Sequence, residues 1–527
     1  MNQPPATGYA NPYGPRPTGD RGPDFGQPPQ PPAWDQPPRS GQPPRPGPVA
    51  QPDPAQRGPK PKRKKRGLLI TAGVVAIAIG LAAGGVAYVG PDRVRTMFGS
   101  PAASPSASAP TVPTAASVLS TLGDSAAMPA AGTVEAALRS PIADAELGSS
   151  VNVSVVDVPS GTVLFDHGAD HNANPASTTK IATAAAVLSA RGADYRITTK
   201  VVAGPNPGEV VIIGAGDPTL TYGPTGYYVG AGRLDQLAAQ VKAALGGQAP
   251  TKVIYDGSLY PGSSIGPGWD DGDAAGPYGA KITALMIDGA RTSPKRPKSI
   301  EEIHAGQDRT SQPDRSAAAA FAKALGISKV ESGKAPDGAQ ELGSVQSPRI
   351  DSMVEIMLSE SDNVVAEMLA RQVAIAKNLP ATFDNAGKAV SDQLASMGVQ
   401  VDGASMRDGS GLSRLDKQSP AMQTSLLALA AGEKHPELHS IFGGLPVGAW
   451  SGTLADRNMT AGGKPEAGAG VVRAKTGTLT GVAAIAGIVV TKSGRLLAFS
   501  VLCDAVPSST DVARAHLDEV TNALAAL

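Results

Sequence analysis

The sequence feature that most constrains this chain is an uncharged run of 23 residues, 67–89, that directly follows six cations within 60–66. At about 1.5 Å per residue, a helix of this length spans roughly 34 Å, and the hydrocarbon core of a bilayer is about 30 Å thick. The run has no polar stripe, and it is too long and too far from the first residue to be the apolar part of a signal peptide. The sequence therefore predicts a single transmembrane helix over 67–89.

The charges that flank this run predict its orientation. Six cations precede it, whereas Arg93 and Arg95, partly offset by Asp92, follow it. The positive-inside rule then places residues 1–66 in the cytoplasm and the 438 residues after Val89 outside, which describes a single-pass protein of the cell membrane. The net charge of zero is therefore a sum of +7 on residues 1–66 and −7 on the rest. We expect no nucleic-acid partner.

Residues 1–66 form a tail in which 19 of the 48 prolines lie within 1–59. Because proline fixes φ and lacks a backbone donor, this tail is expected to be disordered with polyproline II character. It is either a solvated tail or a docking segment for a cytoplasmic partner. The candidate anchors for such a partner are Tyr9, Tyr13, Phe25 and Trp34. After the membrane segment, residues 90–132 are rich in Ala, Ser, Pro and Thr, which predicts a linker.

Globular patterning begins near Val134 and divides into two parts. Residues 133–195 and 346–527 are predicted to form the main domain, and residues 196–345, with short strands and many Gly/Pro turns, a smaller inserted subdomain. The expected elements are a hairpin over 151–165, helices over 181–188 and 350–374, strands over 471–475, 482–490 and 496–502, and a last helix from Thr510. The single Cys503 excludes an intrachain disulfide and is expected to be a small core residue.

Three short motifs occur in order along the globular part. The first joins Ser177 to Lys180, and a helix that opens at Pro175 would place these two residues, at i and i+3, on one face. A serine hydroxyl is a poor nucleophile until a base removes its proton. A lysine amine can be that base only where burial or a neighbouring cation lowers its pKa. The spacing therefore favours an activated serine.

The second and third motifs have contexts that suit a binding site. Ser361 and Asn363 lie in a polar break between two apolar helical stretches, and their i, i+2 spacing suits a turn. Lys475, Thr476 and Gly477 are predicted to end a strand that starts at Val471. The glycine would let a substrate backbone approach closely, and the lysine and threonine suit a substrate carboxylate. Alone, each motif is more often an ordinary cap, turn or strand end.

Together the motifs S-x-x-K, S-D-N and K-T-G resemble those of penicillin-binding proteins and serine β-lactamases. Further segments resemble the class C low-molecular-mass penicillin-binding proteins, the D-alanyl-D-alanine carboxypeptidase/endopeptidase family called peptidase family S13. The resemblance covers about residues 135–527. The segments that carry it are 214–218 (GAGDP), Trp269, 278–280 (YGA), 361–367 (SDNVVAE), 408–413 (DGSGLS) and 445–454 (LPVGAWSGTL).

The resemblance implies an α/β penicillin-binding fold with an antiparallel sheet flanked by helices, and one inserted subdomain. It implies that Ser177 is the acylated nucleophile, Lys180 its base, Ser361 a proton relay and Asn363 an orienting group. Lys475, Thr476 and Gly477 would bind the substrate carboxylate end, and the backbone N–H groups of Ser177 and Thr478 would form an oxyanion hole. The implied substrate is a peptidoglycan stem peptide that ends in D-Ala-D-Ala, with β-lactams as inhibitors.

Two other functions compete with this interpretation. A class A β-lactamase needs a deacylating Glu downstream of the second motif, and residues 390–410 contain none. A wall sensor or receptor would bind penicillin without catalysis. We expect no metal or cofactor, because the pairs His167/His171 and His435/His439 lack the adjacent Glu of a zinc-protease helix and no phosphate loop occurs. The balance between carboxypeptidase and endopeptidase activity stays open.

Overall fold

A computed structural model describes residues 126–460 and 462–527, which fall in the second of two units of the chain, Pro110–Leu527. The predicted tail, the transmembrane helix over 67–89 and most of the linker lie outside the described residues. Within the described part, no helix combines the length and the hydropathy needed to cross a bilayer. The prediction of a membrane segment at 67–89 therefore stays a prediction.

The first sheet consists of five antiparallel strands in the order β2-β1-β10-β9-β8. The chain enters the sheet with a hairpin and returns to it with the last three strands, so strands β1 and β10, which are far apart in sequence, pair side by side. Strand β8 forms one edge and carries the third motif. The five strands are β1 Val151–Asp157, β2 Val163–His167, β8 Val472–Leu479, β9 Val482–Val490 and β10 Leu496–Cys503.

Helices cover both faces of this sheet, as expected for a penicillin-binding fold. On one face α1 and α11 bury Leu138, Leu517 and Val520 against strand residues such as Phe499 and Val501. The other face carries the larger core, built mainly from five helices. The α-helices of the described residues are α1 Ala131–Ile142, α2 Thr179–Arg191, α3 Leu234–Ala244, α4 Ile300–Ala305, α5 Pro313–Leu325, α6 Ile350–Ser359, α7 Asn363–Ala376, α8 Phe383–Ser396, α9 Pro420–Ala431, α10 Ser440–Gly444 and α11 Thr510–Ala525.

A second five-stranded sheet lies between α2 and α6 in sequence, in the order β6-β5-β4-β3-β7. It is mixed: β3 pairs antiparallel with β4 and β7, whereas β4–β5 and β5–β6 are parallel. Helices α3 and α5 pack on it through a separate apolar core that includes Leu237 and Phe321. Its strands are β3 Thr198–Ala203, β4 Glu209–Ile213, β5 Lys252–Asp256, β6 Val330–Ser332 and β7 Glu341–Gln346.

The structure confirms one expectation about elements and corrects another. The helical stretch over 350–374 is interrupted at the second motif, as its polar residues predicted: α6 ends at Ser359 and α7 begins at Asn363, after Ser361 adopts a left-handed φ of 57°. The strand expected to end at the third motif continues to Leu479, since residues 472–479 all pair with β9. The motif therefore lies inside an edge strand. Cys503 is a buried core residue, and burial raises its pKa to about 12.

Candidate active site

Ser177 lies in a short 3-10 turn, Ala176–Thr178, that leads into α2. Ala176 has a φ of 44°, which is unusual for a residue with a Cβ and indicates local strain directly before the serine. The turn is packed closely from two sides: a Cβ on Gly411 would lie 1.8 Å from the Ala176 carbonyl oxygen, and one on Gly477 would lie 2.7 Å from that of Pro175. A loop and an edge strand therefore hold this turn in place, each through a close approach at a glycine.

Lys180 is fully buried one helical turn after Ser177, and its amine makes three contacts. Nζ lies 2.8 Å from the Ser177 Oγ, 2.6 Å from the Asn363 Oδ1 and 2.7 Å from the Ser410 carbonyl oxygen. The amide oxygen and the carbonyl can only accept. When the amine is neutral, they take its two N–H groups, and its lone pair then points at the Ser177 hydroxyl. The geometry is that of a base directed at a nucleophile.

Burial lowers the pKa of Lys180 to about 8. Desolvation disfavours the ammonium form, and the carboxylates of Asp408, Glu367, Asp362 and Asp416 partly oppose that effect. A pKa near 8 leaves a substantial neutral fraction at physiological pH, as a general base needs.

The loop 408–413 supplies the Ser410 carbonyl, and its role was missed by the sequence analysis. The buried Asp408 carboxylate accepts hydrogen bonds from the backbone N–H groups of Ser410, Gly411 and Ser413 at 2.7–3.1 Å and from the Trp269 Nε1 at 2.7 Å. These four donors fold the loop around one side chain. The D-G-S-G-L-S string marked the segment, but a backbone carbonyl leaves no trace in a sequence.

Two further buried acids lie near Asp408. Asp416 has its pKa raised well above the usual range, first by burial and then by the Asp408 charge. Burial and the Asp408 charge likewise raise the pKa of Glu367 to about 7, against the opposing effect of Arg371, its ion-pair partner at 3.3 Å. The Lys180 amine is thus buried beside an acidic cluster that favours its charged form.

The second motif lies at the start of α7. Asn363 reaches Lys180 through its Oδ1 and donates from Nδ2 to the Tyr278 carbonyl at 3.1 Å, so its amide orientation is defined from both ends. Ser361 lines a small cleft together with Asn363 and Tyr278. Asp362 caps α7 by accepting from the N–H groups of residues 364 and 365. The structure therefore brings Asn363 to Lys180 and places Ser361 at the edge of the same site.

Asp362 is held by a buried arginine that the sequence analysis did not identify. Arg291 forms an ion pair with it at 2.9 Å and stacks over the Tyr227 ring at 3.5 Å, and the Tyr228 hydroxyl also donates to Asp362. Despite its burial, Asp362 has a pKa held well below the usual range, chiefly by Arg291 and Arg309. No local sequence signal joins residue 291 to residue 362, because the contact is long-range.

The third motif lies on β8, beside the serine. Lys475 is fully buried, and burial, reinforced by the Lys180 charge, lowers its pKa well below the usual range. Its Nζ donates to the Thr476 carbonyl at 2.8 Å, and the Thr476 hydroxyl contacts that of Thr453 at 2.9 Å. Gly477 fits against the Pro175 carbonyl, so here the close approach is to the serine turn. Thr478 follows on the same edge strand.

The described residues include no group of three or more His, Cys, Asp or Glu side chains placed to hold a metal. The arrangement they do show is a serine, a buried amine that contacts it, an amide that orients the amine, and a strand with a second buried amine. Such a set can activate a hydroxyl for attack on a carbonyl and can bind an anionic group beside it.

Comparisons with known proteins find related carboxypeptidases and a similar solved fold. The chain is 37% identical over 398 residues to a carboxypeptidase of Mycobacterium tuberculosis, covering 74% of this chain and 84% of the relative. It is 36% identical over 451 residues to the carboxypeptidase DacB of Mycolicibacterium smegmatis, covering 84% and 94%. The fold is similar to the crystal structure of penicillin binding protein 4 (dacB) from Haemophilus influenzae, with a TM-score of 0.60, 22% identity, and coverage of 75% and 98%.

The likeness to that solved structure shows the penicillin-binding fold, and the sequence matches show the family. The family model described as the D-Ala-D-Ala carboxypeptidase 3 (S13) family matches residues 134–306 and 297–527, which together span all three motifs. This chain therefore belongs to the D-Ala-D-Ala carboxypeptidase 3 (S13) family.

Proposed function

We propose that this chain is a serine-type D-Ala-D-Ala carboxypeptidase that acts on peptidoglycan stem peptides through an acyl-enzyme on Ser177. Family membership and two relatives named carboxypeptidases at 36–37% identity support the reaction class. The single observation that carries the assignment of residues is the buried Lys180 amine, which lies between the Ser177 hydroxyl and two fixed acceptors.

In the first step, the neutral Lys180 amine takes the proton from the Ser177 hydroxyl. The Ser177 Oγ then bonds to the carbonyl carbon of the penultimate D-alanine. The developing oxyanion lies between the backbone N–H groups of Ser177 and Thr478. In other enzymes the removal of one such donor costs about 10²–10³ in rate. Asn363 keeps the amine in place through its Oδ1 contact.

In the second step, the C–N bond breaks and the leaving amine takes a proton. Ser361 lines the cleft beside Asn363, where its hydroxyl can pass the Lys180 proton to that amine. The carboxylate of the leaving D-alanine binds at Lys475 and Thr476, beside Gly477. Because burial makes the charged form of Lys475 costly, a bound carboxylate stabilises its ammonium form. Water then hydrolyses the ester and regenerates Ser177.

The same steps cleave a peptide cross-link, where the leaving group is a second stem peptide instead of D-alanine. β-Lactams acylate Ser177 and are inhibitors because their acyl-enzymes hydrolyse slowly. A β-lactamase or a non-catalytic receptor would have the same first step but a different fate of the acyl group, and the relatives' names favour neither.

One experiment tests the assignment. The chain and its Ser177→Ala variant are incubated with a labelled penicillin and with diacetyl-L-Lys-D-Ala-D-Ala. We expect a stable penicillin adduct and release of D-alanine from the wild type and neither from the variant. An adduct without D-alanine release would indicate a receptor, rapid penicillin turnover a β-lactamase, and no adduct at all would exclude the proposed chemistry.

The place of action is part of the proposal. The predicted helix over 67–89 would anchor the chain with the active site outside the membrane, where peptidoglycan lies. The Pro-rich residues 1–66 would then be available to a cytoplasmic partner. The support for both statements is the amino-acid sequence alone.

A further inference from the structure

Trp450 is the most exposed large apolar side chain of the described residues, at 80% exposure. Single exposed apolar residues are common, but this one lies on a closed loop. The Ala449 N–H donates to the Leu454 carbonyl at 2.9 Å, and those of Trp450 and Ser451 donate to the Val447 carbonyl at 3.0 Å. Ala449 also has a φ of 57°. The loop therefore holds the indole in solvent at the cost of backbone strain, which is typical of a binding residue.

A surface cavity of about 640 Å³ lies beside this loop. It is lined by Trp450, Arg473 and the backbone of Gly448 and Gly470. Arg473 is exposed, donates to the Phe442 carbonyl at 3.5 Å, and forms no ion pair with any carboxylate in the described part of the chain. The Trp450 indole offers an apolar face, the Arg473 guanidinium has no carboxylate partner, and the glycines expose backbone groups. Together these features suit a peptide that carries a carboxylate.

The position of this cavity along β8 follows from the roles proposed above, on which this inference rests. The scissile carbonyl lies at the Thr478 N–H, and the carboxylate of the leaving residue lies at Thr476 and Lys475. This direction, from Thr478 toward Lys475, runs toward the start of β8. Arg473 lies two residues beyond Lys475, which is about 7 Å farther along the strand. The cavity is therefore on the leaving-group side of the site.

Beyond that point the edge of β8 is already occupied. The Ala474 N–H donates to the Pro446 carbonyl and the Gly448 N–H to the Val472 carbonyl, both at 3.0 Å. A leaving chain longer than one residue cannot continue as a strand there and has to pass over the loop that carries Trp450. The hydroxyl contact between Thr453 and Thr476 joins this loop to the third motif.

We propose that Trp450 and Arg473 form a leaving-side subsite that binds the second stem peptide of a cross-linked dimer. Arg473 pairs with a carboxylate of that peptide, and the indole packs on its hydrocarbon side chain. A leaving D-alanine ends at Lys475 and gains nothing from the subsite. The bonds made and broken are those of the proposed reaction, with the amine of the second peptide as the leaving group. The subsite thus makes cross-links the preferred substrate.

The test compares two substrates on the 527-residue chain: a purified cross-linked muropeptide dimer and diacetyl-L-Lys-D-Ala-D-Ala. Trp450→Ala and Arg473→Gln should each lower kcat/KM for the dimer about tenfold, as expected for loss of an aromatic or arginine anchor. Hydrolysis of the monomeric peptide and the rate of penicillin acylation should stay within about twofold. Trp450→Phe should recover most of the activity on the dimer, because it keeps an aromatic face.

The matched control is Val163→Ala, an exposed apolar residue on β2 at the opposite edge of the sheet, which should change neither substrate. An unchanged ratio of dimer to monomer hydrolysis in both variants would overturn the subsite, as would a wild type that cleaves only the monomer. A wild type that cleaves neither substrate and forms no penicillin adduct would instead overturn the proposed function as a whole.

Discussion

Lys180 and the groups around it determine the pH dependence at the scale of single residues. Its reactive form is the neutral amine, and burial lowers its pKa to about 8. The charged groups that act on it are the carboxylates of Asp408, Glu367, Asp362 and Asp416. These four acids raise the lysine pKa and desolvation lowers it, so the value is a balance between burial and an acidic surrounding.

We therefore predict that penicillin acylation rises with pH and levels off above about pH 8. Below that pH the rate should fall about tenfold per unit, because one proton on Lys180 removes the base. The measurement is the second-order rate of acylation by a labelled penicillin between pH 5 and 10. A profile that is flat across this range would show that Lys180 is not the base.

A second prediction concerns Asp408, whose two oxygens accept from three backbone N–H groups of the loop and from the Trp269 Nε1. In Asp408→Asn an amide NH2 replaces one oxygen, so it faces donors such as the Ser413 N–H and the Trp269 Nε1. The loop should shift and move the Ser410 carbonyl from Lys180. We expect acylation to slow by about 10²-fold and stability to fall by about 1–3 kcal/mol.

The pH profile separates this role from simple loss of stability. Removing the Asp408 charge lowers the Lys180 pKa, so the rise in acylation rate should move to lower pH, although ionisation of Asp416 in its place limits the shift. The exposed Asp392→Asn variant, on α8, serves as control and should leave rate and profile unchanged. A shift to higher pH in Asp408→Asn would contradict the assignment.

At the scale of elements, the break between α6 and α7 defines the position of the second motif. Asp362 caps α7, and Arg291 neutralises it in a buried place. The cap holds Asn363 at the first residue of the helix and Ser361 in its left-handed conformation. A contact from the region of the second sheet thus orients two residues of the active site.

We predict that Arg291→Met destabilises the chain by about 3–5 kcal/mol at pH 7, because it leaves a buried carboxylate without its charge partner. Since the Asp362 pKa is lowered in the wild type, its contribution is present above the usual pKa near 4 and is lost as pH falls below it. In the variant the carboxyl protonates more readily, so the difference in unfolding free energy should shrink below about pH 4. Urea unfolding of the wild type and the variant at several pH values measures this difference in unfolding free energy.

The control for this variant is Lys388→Gln, which removes one partner of the exposed ion pair with Asp392 on α8. An exposed pair of this kind contributes about 0.5 kcal/mol or less, and the change should not depend on a buried carboxylate. Equal losses of unfolding free energy in the two variants would show that the buried Arg291–Asp362 pair stabilises the chain no more than an exposed ion pair does.

Sequence patterns were sufficient for the elements whose periodicity is local. The hairpin at Val151, the strands at 482–490 and 496–502 and the stripe of the last helix all follow from side-chain alternation, and the structure confirms them. The ends of elements were less predictable, because pairing with β9 extends β8 past Gly477. The parallel pairs β4–β5 and β5–β6 follow from contacts between distant residues, which periodicity does not report.

The candidate site divides in the same way. Ser177, Lys180 and Asn363 were predicted from spacing and resemblance. In the structure the Lys180 amine lies 2.8 Å from the Ser177 Oγ and 2.6 Å from the Asn363 Oδ1. The groups that hold them were not predicted. The resemblance marked the segment 408–413, but the Ser410 carbonyl is a backbone atom and Asp408 acts mainly through backbone donors, so the sequence does not display their roles.

At the scale of the whole molecule, the predicted anchor and the described residues should be separable. The site and both sheets lie within 126–527, and the nearest predicted membrane residue is Val89. If 67–89 is the only attachment to the membrane, a chain that starts at residue 100 should move from the membrane fraction to the soluble fraction of cells. Its rate of penicillin acylation should stay within about twofold, because no residue of the candidate site is removed.

The matched control deletes only residues 1–59 and keeps the six cations and the apolar run. This chain should stay in the membrane fraction with the same orientation, because the positive-inside rule depends on cations next to the helix and not on a distant tail. A protease added outside spheroplasts should degrade the catalytic part of both anchored chains. Protection of that part from the protease would show that it lies in the cytoplasm and would exclude action on peptidoglycan at that location, whatever activity the isolated chain has.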